Sequence, residues 1–169
     1  FRRVLFRSEK MKKEIATLAG GCFWGVEELL RSQKGVLKTR VGYTGGSTAS
    51  PVYETVKTGR TGHAEAIEVE FDSLETSFEK ILLFFFSMHD PTTLHRQGND
   101  IGSQYRSAIF FHSEEQKHVA EAVKARVEKS GSWKNPIVTE IVAATEFRPA
   151  EEIHQNYLQK DRKSTRLNS

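Results

Sequence analysis

Apolar positions along this chain change period several times, and each change marks an element. Ile15 to Leu18 is a short apolar run closed by Gly20-Gly21, after which Val26, Leu29 and Leu30 recur at helical spacing up to Gly35. This predicts a strand, a glycine turn and a helix. Val36, Leu37, Val41 and Tyr43, interleaved with Lys38, Thr39 and Arg40, predict a second strand that runs out at Gly42 and Gly45-Gly46. Residues 52–57 fit one helical turn or an edge strand. A third strand follows, with clean alternation from Ile67 to Phe71 across Glu68 and Glu70. Phe78, Ile81, Leu82 and Phe85 predict a helix begun near Ser73 and ended by Pro91. His89 to Arg106 is rich in Thr, Gly, Asn and Gln and reads as a long loop, which at that length is more often functional than decorative. Ser107 to His112 predicts a strand, and Ser113 opens a helix through Val119, Ala122, Val123, Arg126 and Val127 that Gly131 closes. Ile137 to Ala143 predicts a last strand before a short helix carrying Ile153, Tyr157 and Leu158.

Two βαβ units in succession predict an α+β fold of the ferredoxin-like, split-βαβ kind: a mixed sheet with helices packed on it and irregular terminal extensions. A chain of 169 residues is long enough for one domain with its own core. That domain is expected over residues 11–160, because Met11-Lys12-Lys13-Glu14 reads as a natural start. Residues 1–10 and 161–169 are expected to be non-native flanks: 1–10 has neither the apolar centre nor the small-residue cleavage site of a signal peptide, and 161–169 is polar and without period.

Charge narrows the partners. The formal net charge is +3, yet residues 1–10 hold four basic and one acidic residue and 161–169 hold three and one, leaving 18 basic against 20 acidic in 11–160. A nucleic-acid partner is therefore not expected. The longest apolar run, Ile81 to Phe86, is six residues, far short of the roughly 20 of a membrane helix, so no membrane partner is expected either. With one cysteine no disulfide can form within the chain, which points to the cytoplasm, and a monomer is expected. No metal site is expected: His89 and His95, and likewise His112 and His118, lie six apart, unlike a compact zinc motif.

Candidate chemistry gathers at that cysteine. Cys22 stands in Gly20-Gly21-Cys22-Phe23-Trp24-Gly25 at the mouth of the first helix, where the helix dipole favours a thiolate and glycines let backbone approach a ligand. A small buried hydrophobe is the competing reading.

Gly21-Cys22-Phe23-Trp24-Gly25, Gly42-Tyr43-Thr44-Gly45-Gly46, Thr61-Gly62-His63-Ala64-Glu65, and Gln97-Gly98-Asn99-Asp100 with Gln104-Tyr105-Arg106-Ser107 together resemble the A-type peptide methionine sulfoxide reductases, over nearly all of residues 13–160. The resemblance implies a ferredoxin-like fold and thiol-dependent reduction of methionine S-sulfoxide, free or in oxidised proteins, through a cysteine sulfenic acid. It assigns Cys22 as nucleophile and Glu65 as the acid that protonates the sulfoxide oxygen. Such an acid must be enclosed to hold its proton near neutral pH. Tyr53 and Tyr105 match two phenols that hydrogen-bond that oxygen, Asp100 matches the residue that orients them, and Phe23 and Trp24 match the pocket for the S-methyl group. No bound cofactor is implied. The reductant is an external thiol: thioredoxin, glutaredoxin with glutathione, or dithiothreitol.

One departure stands out. Many members of that family carry further cysteines near the C-terminus that resolve the sulfenic acid, and this chain has none. Either an external thiol reduces Cys22 directly, or a natural tail has been replaced; the second is favoured because 161–169 does not read as a continuation. Two rival functions are a Cys22–His63 hydrolase or acyltransferase and a silent module that binds methionine-rich peptides.

Overall fold

A computed structural model describes the backbone of residues 11–168 and the side chains of 11–162. The expected flank at 1–10 lies outside the described residues. Strand β1 (Lys13–Gly20) leads through Gly21 and Cys22 into helix α1 (Phe23–Arg31), and β2 (Val36–Thr44) follows. A single helical turn, α2 (Tyr53–Val56), precedes β3 (Ala64–Asp72), α3 (Phe78–Met88), a small hairpin of β4 (Arg96–Gln97) with β5 (Asp100–Ile101), and β6 (Ser107–Phe111). Then come α4 (Glu114–Lys129), β7 (Glu140–Ala143), β8 (Arg148–Pro149) and α5 (Tyr157–Asn168).

The main sheet runs β7-β6-β1-β3-β2-β8. Its inner four strands pair antiparallel throughout, so β1 and β2 run the same way with β3 between them, and β3 and β6 run the same way with β1 between them. These are two interleaved split βαβ units, the ferredoxin-like arrangement. β7 adds parallel to β6, and β8 adds antiparallel to β2.

The register explains which side chains face the helices. Leu18 stands opposite Ile67 on one side and Ile109 on the other, and all three are fully buried in the main core with Val41, Val69, Phe71, Leu82 and Phe85. The opposite face carries a smaller cluster, Ala19, Ala64, Ala66, Ala108 and Phe110, with Phe147 packed on it. Both faces are therefore covered where β1, β3 and β6 meet. By the period of two, Glu65 belongs with Ile67, Val69 and Phe71 on the helix face.

Several boundaries differ from expectation, each for a local reason. Helix α3 begins at Phe78, not near Ser73, because Asp72 holds residues 73–76 in a turn: its carboxylate accepts from Leu74 N–H and its carbonyl from Glu75 and Thr76. Ser77 then caps the helix by accepting from Lys80 N–H. In α1 the buried set is Phe23, Val26, Glu27 and Leu30, while Leu29 is exposed. Glu27 replaces it in the core, and its carboxylate accepts from Thr39 Oγ1 at 2.9 Å and from Asn156 N–H at 2.7 Å. The last parallel strand is confined to Glu140–Ala143, since Val138 N–H bonds outside the sheet to the Pro91 carbonyl. The irregular extension expected beyond Lys160 is instead helix as far as Asn168.

Candidate active site

Cys22 caps α1 at the end of the central strand. Gly21 turns the chain there with φ +107°, a conformation that disfavours a Cβ, and a Cβ would stand 2.8 Å from Gln97 Cγ. That close approach seats the β4–β5 hairpin against the cysteine turn. Gln97 fastens the hairpin to the end of α3, accepting from Asp90 N–H and donating to the Asp90 carbonyl, each at 2.8 Å.

Cys22 is half-buried and free. Its thiol pKa is raised, first by burial, while the N–H groups of Trp24 and Gly25 at the helix entrance pull it down and the charges of Glu65 and Asp100 push it up. The thiolate suggested by a helix mouth alone is thus opposed here by desolvation and by two nearby carboxylates. The resting group is the thiol.

Glu65 is 2% exposed, and its Oε1 accepts from the Phe23 backbone N–H at 3.1 Å. A carboxyl on β3 is thereby joined to the first turn of the helix that Cys22 caps. Burial pushes its pKa up to about 7, against the pull of the Phe23 N–H and with some help from Asp100. Glu68 and Glu70, on the opposite parity, lie on the other face, where they pair with Arg40 and Lys13.

Both phenols lie within electrostatic reach of Glu65 and Cys22. Tyr53 is held protonated by burial and then by the charges of Glu65 and Cys22. Tyr105, which ends a 3₁₀ turn at Ser103–Tyr105, is pushed up to about 12 by burial, Glu65 and Asp100. Both remain O–H donors at any working pH. Asp100 is exposed on β5, and its charge reaches Cys22, Glu65 and Tyr105.

The two aromatic candidates divide. Phe23 is fully buried and packs on Tyr43 at 5.7 Å and His154 at 5.6 Å, so its ring backs the site from the core rather than lining an open surface. Trp24 is half-buried and stacks with Tyr157 at 4.0 Å, His154 at 5.7 Å and Tyr53 at 6.3 Å.

His63 is not placed to act on the cysteine. Its Nδ1 accepts from Gly46 N–H at 3.1 Å and its Nε2 bonds the Thr48 carbonyl at 2.8 Å, so both nitrogens hold the glycine loop after β2. A Cβ on Gly46 would meet His63 N at 2.3 Å, which is why that loop needs glycine. The Cys22–His63 pair of a hydrolase is absent from this geometry.

Four neighbours have no role in the motif reading: Tyr43, Glu151, His154 and Tyr157. Tyr43 is paired with Glu65 across β2 and β3 and donates from its hydroxyl to Glu151 Oε1 at 2.9 Å. His154 Nδ1 accepts from Trp24 Nε1–H at 3.1 Å. The period-two parity of Tyr43 with Val41 was a readable signal; the other three sit on a segment whose path only tertiary packing decides. Among the described residues, no helix is long and apolar enough to cross a membrane, and no group of three or more His, Cys, Asp and Glu could hold a metal ion.

Comparison with known proteins bears on the family and the fold. The family model described as peptide methionine sulfoxide reductase matches residues 14–168. The chain is 56% identical over 147 residues to the peptide methionine sulfoxide reductase MsrA of Methanosarcina acetivorans, covering 87% of this chain and 78% of that protein. Among solved structures it is similar to reduced Mxr1 from Saccharomyces cerevisiae, with a TM-score of 0.84 at 36% identity, over 89% of this chain and 87% of that one. It is also similar to Mxr1 in complex with Trx2, with a TM-score of 0.61 at 27% identity, over 86% and 85% of the two chains.

Proposed function

Given that this chain belongs to the peptide methionine sulfoxide reductases and so reduces methionine sulfoxide in the repair of oxidised proteins, we propose that Cys22 attacks the sulfoxide sulfur while Glu65 protonates its oxygen. The observation that carries this assignment is the enclosed Glu65 carboxyl, bonded to the N–H of the residue after the cysteine and with a pKa of about 7.

The two groups work as one protonic unit. The attacking form needs a thiolate and a carboxylic acid together, and it is reached from the thiol and carboxylate by moving one proton across the site. Each charge disfavours the other, so ionising Cys22 is easiest when Glu65 is neutral. Tyr53 and Tyr105 donate to the oxygen as negative charge builds there, and Trp24 offers an apolar face to the methyl group. The sulfur–oxygen bond breaks with two electrons from the Cys22 sulfur, giving methionine and Cys22 sulfenic acid without net uptake of protons. We assign the S epimer as the substrate, free or within a protein.

Two external thiols then convert the sulfenic acid to thiol, releasing water and one disulfide. The Trx2 complex of Mxr1 supports a thioredoxin in this role. Glutaredoxin with glutathione, or dithiothreitol, serves the same chemistry, and no bound cofactor is required. A reducing compartment such as the cytoplasm suits this cycle, and we take the working unit to be a monomer. We place the domain that does this work at residues 11–160, with helix α5 continuing from it to Asn168.

The test is the pH profile of the first turnover without reductant. The parent rate should rise as pH passes about 7, where the doubly protonated pair loses one proton, and fall again once both groups are ionised. Glu65→Gln should be slower by about 10² to 10⁴ and should keep only the rise belonging to the thiol. A near-normal rate with an unchanged profile would remove Glu65 as the acid.

A further inference from the structure

Tyr53 sits at the start of a helix only four residues long, and one turn of helix does not stabilise itself. Something else must fix its phenol relative to Glu65. The buried Val56 anchors the far end of the turn. At the near end the Tyr53 backbone N–H donates to Glu151 Oε2 at 3.2 Å. The other oxygen of the same carboxylate accepts from the Tyr43 hydroxyl at 2.9 Å. Tyr43 is fully buried and stands directly opposite Glu65 in the β2–β3 register. One continuous path therefore leads from the Glu65 strand position across the ladder to Tyr43, through the carboxylate of Glu151, to the backbone of Tyr53.

Glu151 is itself well tethered, although its side chain is exposed. Ala150 N–H bonds the Val41 carbonyl at 2.9 Å, and the Glu151 carbonyl accepts from His154 N–H at 2.9 Å. Gln155 accepts from Val41 N–H and donates to the Val41 and Ala150 carbonyls, each at 2.9 Å. The segment is thus strapped along the edge of β2. His154, at the end of the same turn, lies 4.5 Å from the Tyr53 ring, so the strap holds that residue by backbone and by ring.

We propose that Glu151 is a positioning residue, a two-pronged carboxylate clamp that sets the Tyr53 hydroxyl for the sulfoxide oxygen by tying α2 to the core phenol Tyr43. It touches no substrate. The proposal rests on the reading of Tyr53 as an oxygen donor. Partial burial pulls the Glu151 carboxyl pKa up, but the N–H and O–H groups aimed at it, its own amide among them, hold it below the ordinary value, as suits a charged acceptor.

A double-mutant cycle on first-turnover rate constants at saturating methionine sulfoxide tests this. Tyr53→Phe, which removes a donor to the developing charge, should slow the step by about 10². Glu151→Ala, which frees one charge-assisted hydrogen bond to the helix, should slow it about tenfold. If the clamp acts through the Tyr53 hydroxyl, adding Glu151→Ala to Tyr53→Phe should cause no further loss. Glu151→Gln should recover most of the rate, because its amide oxygen can accept from Tyr53 N–H while its NH₂ donates to the Tyr43 oxygen. A full additional tenfold loss in the double variant would overturn the clamp alone, as would a Glu151→Ala protein as fast as the parent. A Tyr53→Phe protein as fast as the parent would overturn the oxygen-donor reading and the clamp with it.

Discussion

Replacing Glu65 with Gln should make the protein more stable even as it disables it, and the gain should depend on pH in a defined way. The carboxyl titrates near 4.5 when unfolded and at about 7 when folded. Below pH 4.5 it is neutral in both states, so its ionisation weighs nothing. Between 4.5 and 7 the unfolded chain sheds the proton while the folded protein keeps it, and stability falls as pH rises. Above 7 the folded protein bears the full penalty of a buried carboxylate. A difference of about 2.5 pH units at about 1.36 kcal/mol each gives roughly 3 kcal/mol. Gln is neutral throughout and can still accept the Phe23 N–H, so the variant escapes this loss. Urea unfolding of both proteins at intervals from pH 4 to 8 isolates the effect, since every other titrating group cancels in the difference. The variant's advantage should grow by about 3 kcal/mol between pH 4.5 and 8, or roughly 6–12 °C in Tm for a chain of this size. A difference that stays flat across that range would refute an enclosed, neutral-leaning Glu65.

Two further outcomes follow from the same geometry. Gly21→Ala should destabilise the protein by about 1–3 kcal/mol in urea unfolding, because the residue has positive φ and the new Cβ displaces Gln97; the first turnover should slow with it as the hairpin carrying Asp100 shifts. With a single cysteine in its sequence, steady turnover of this chain should rise in proportion to dithiothreitol concentration until the first-turnover rate is reached, and a steady-state rate independent of added thiol would contradict direct reduction of Cys22.

Much of the fold and the site is legible in the sequence because strand period carries the information. Alternation through Ile67, Val69 and Phe71 extends back to Glu65, which separates that carboxyl from Glu68 and Glu70 by parity alone. The glycines flanking Cys22 likewise mark the strand-to-helix turn, and the two βαβ units predict the interleaved sheet. What escapes reading depends on contacts distant in sequence. Leu29 and Glu27 exchange expected places because Thr39 and Asn156 supply the partners that let a carboxylate be buried. The strap from Ala150 to Tyr157 has weak periodicity of its own, and its path is decided by backbone bonds to the edge of β2. The reactivity of Cys22 is also only half readable. A helix mouth favours the thiolate, yet burial and two carboxylates brought in by the fold favour the thiol, so the nucleophile depends on its proton partner and not on the helix dipole alone.

The most direct test is to mix the reduced protein with one equivalent of methionine S-sulfoxide, without added thiol, in the presence of dimedone, and to map the modified residue by mass spectrometry. One methionine should form per chain, with the dimedone adduct confined to Cys22 and absent when the R epimer is supplied. Methionine formed at the same rate by Cys22→Ser, or an unmodified Cys22 after product has appeared, would contradict a reaction carried by this sulfur.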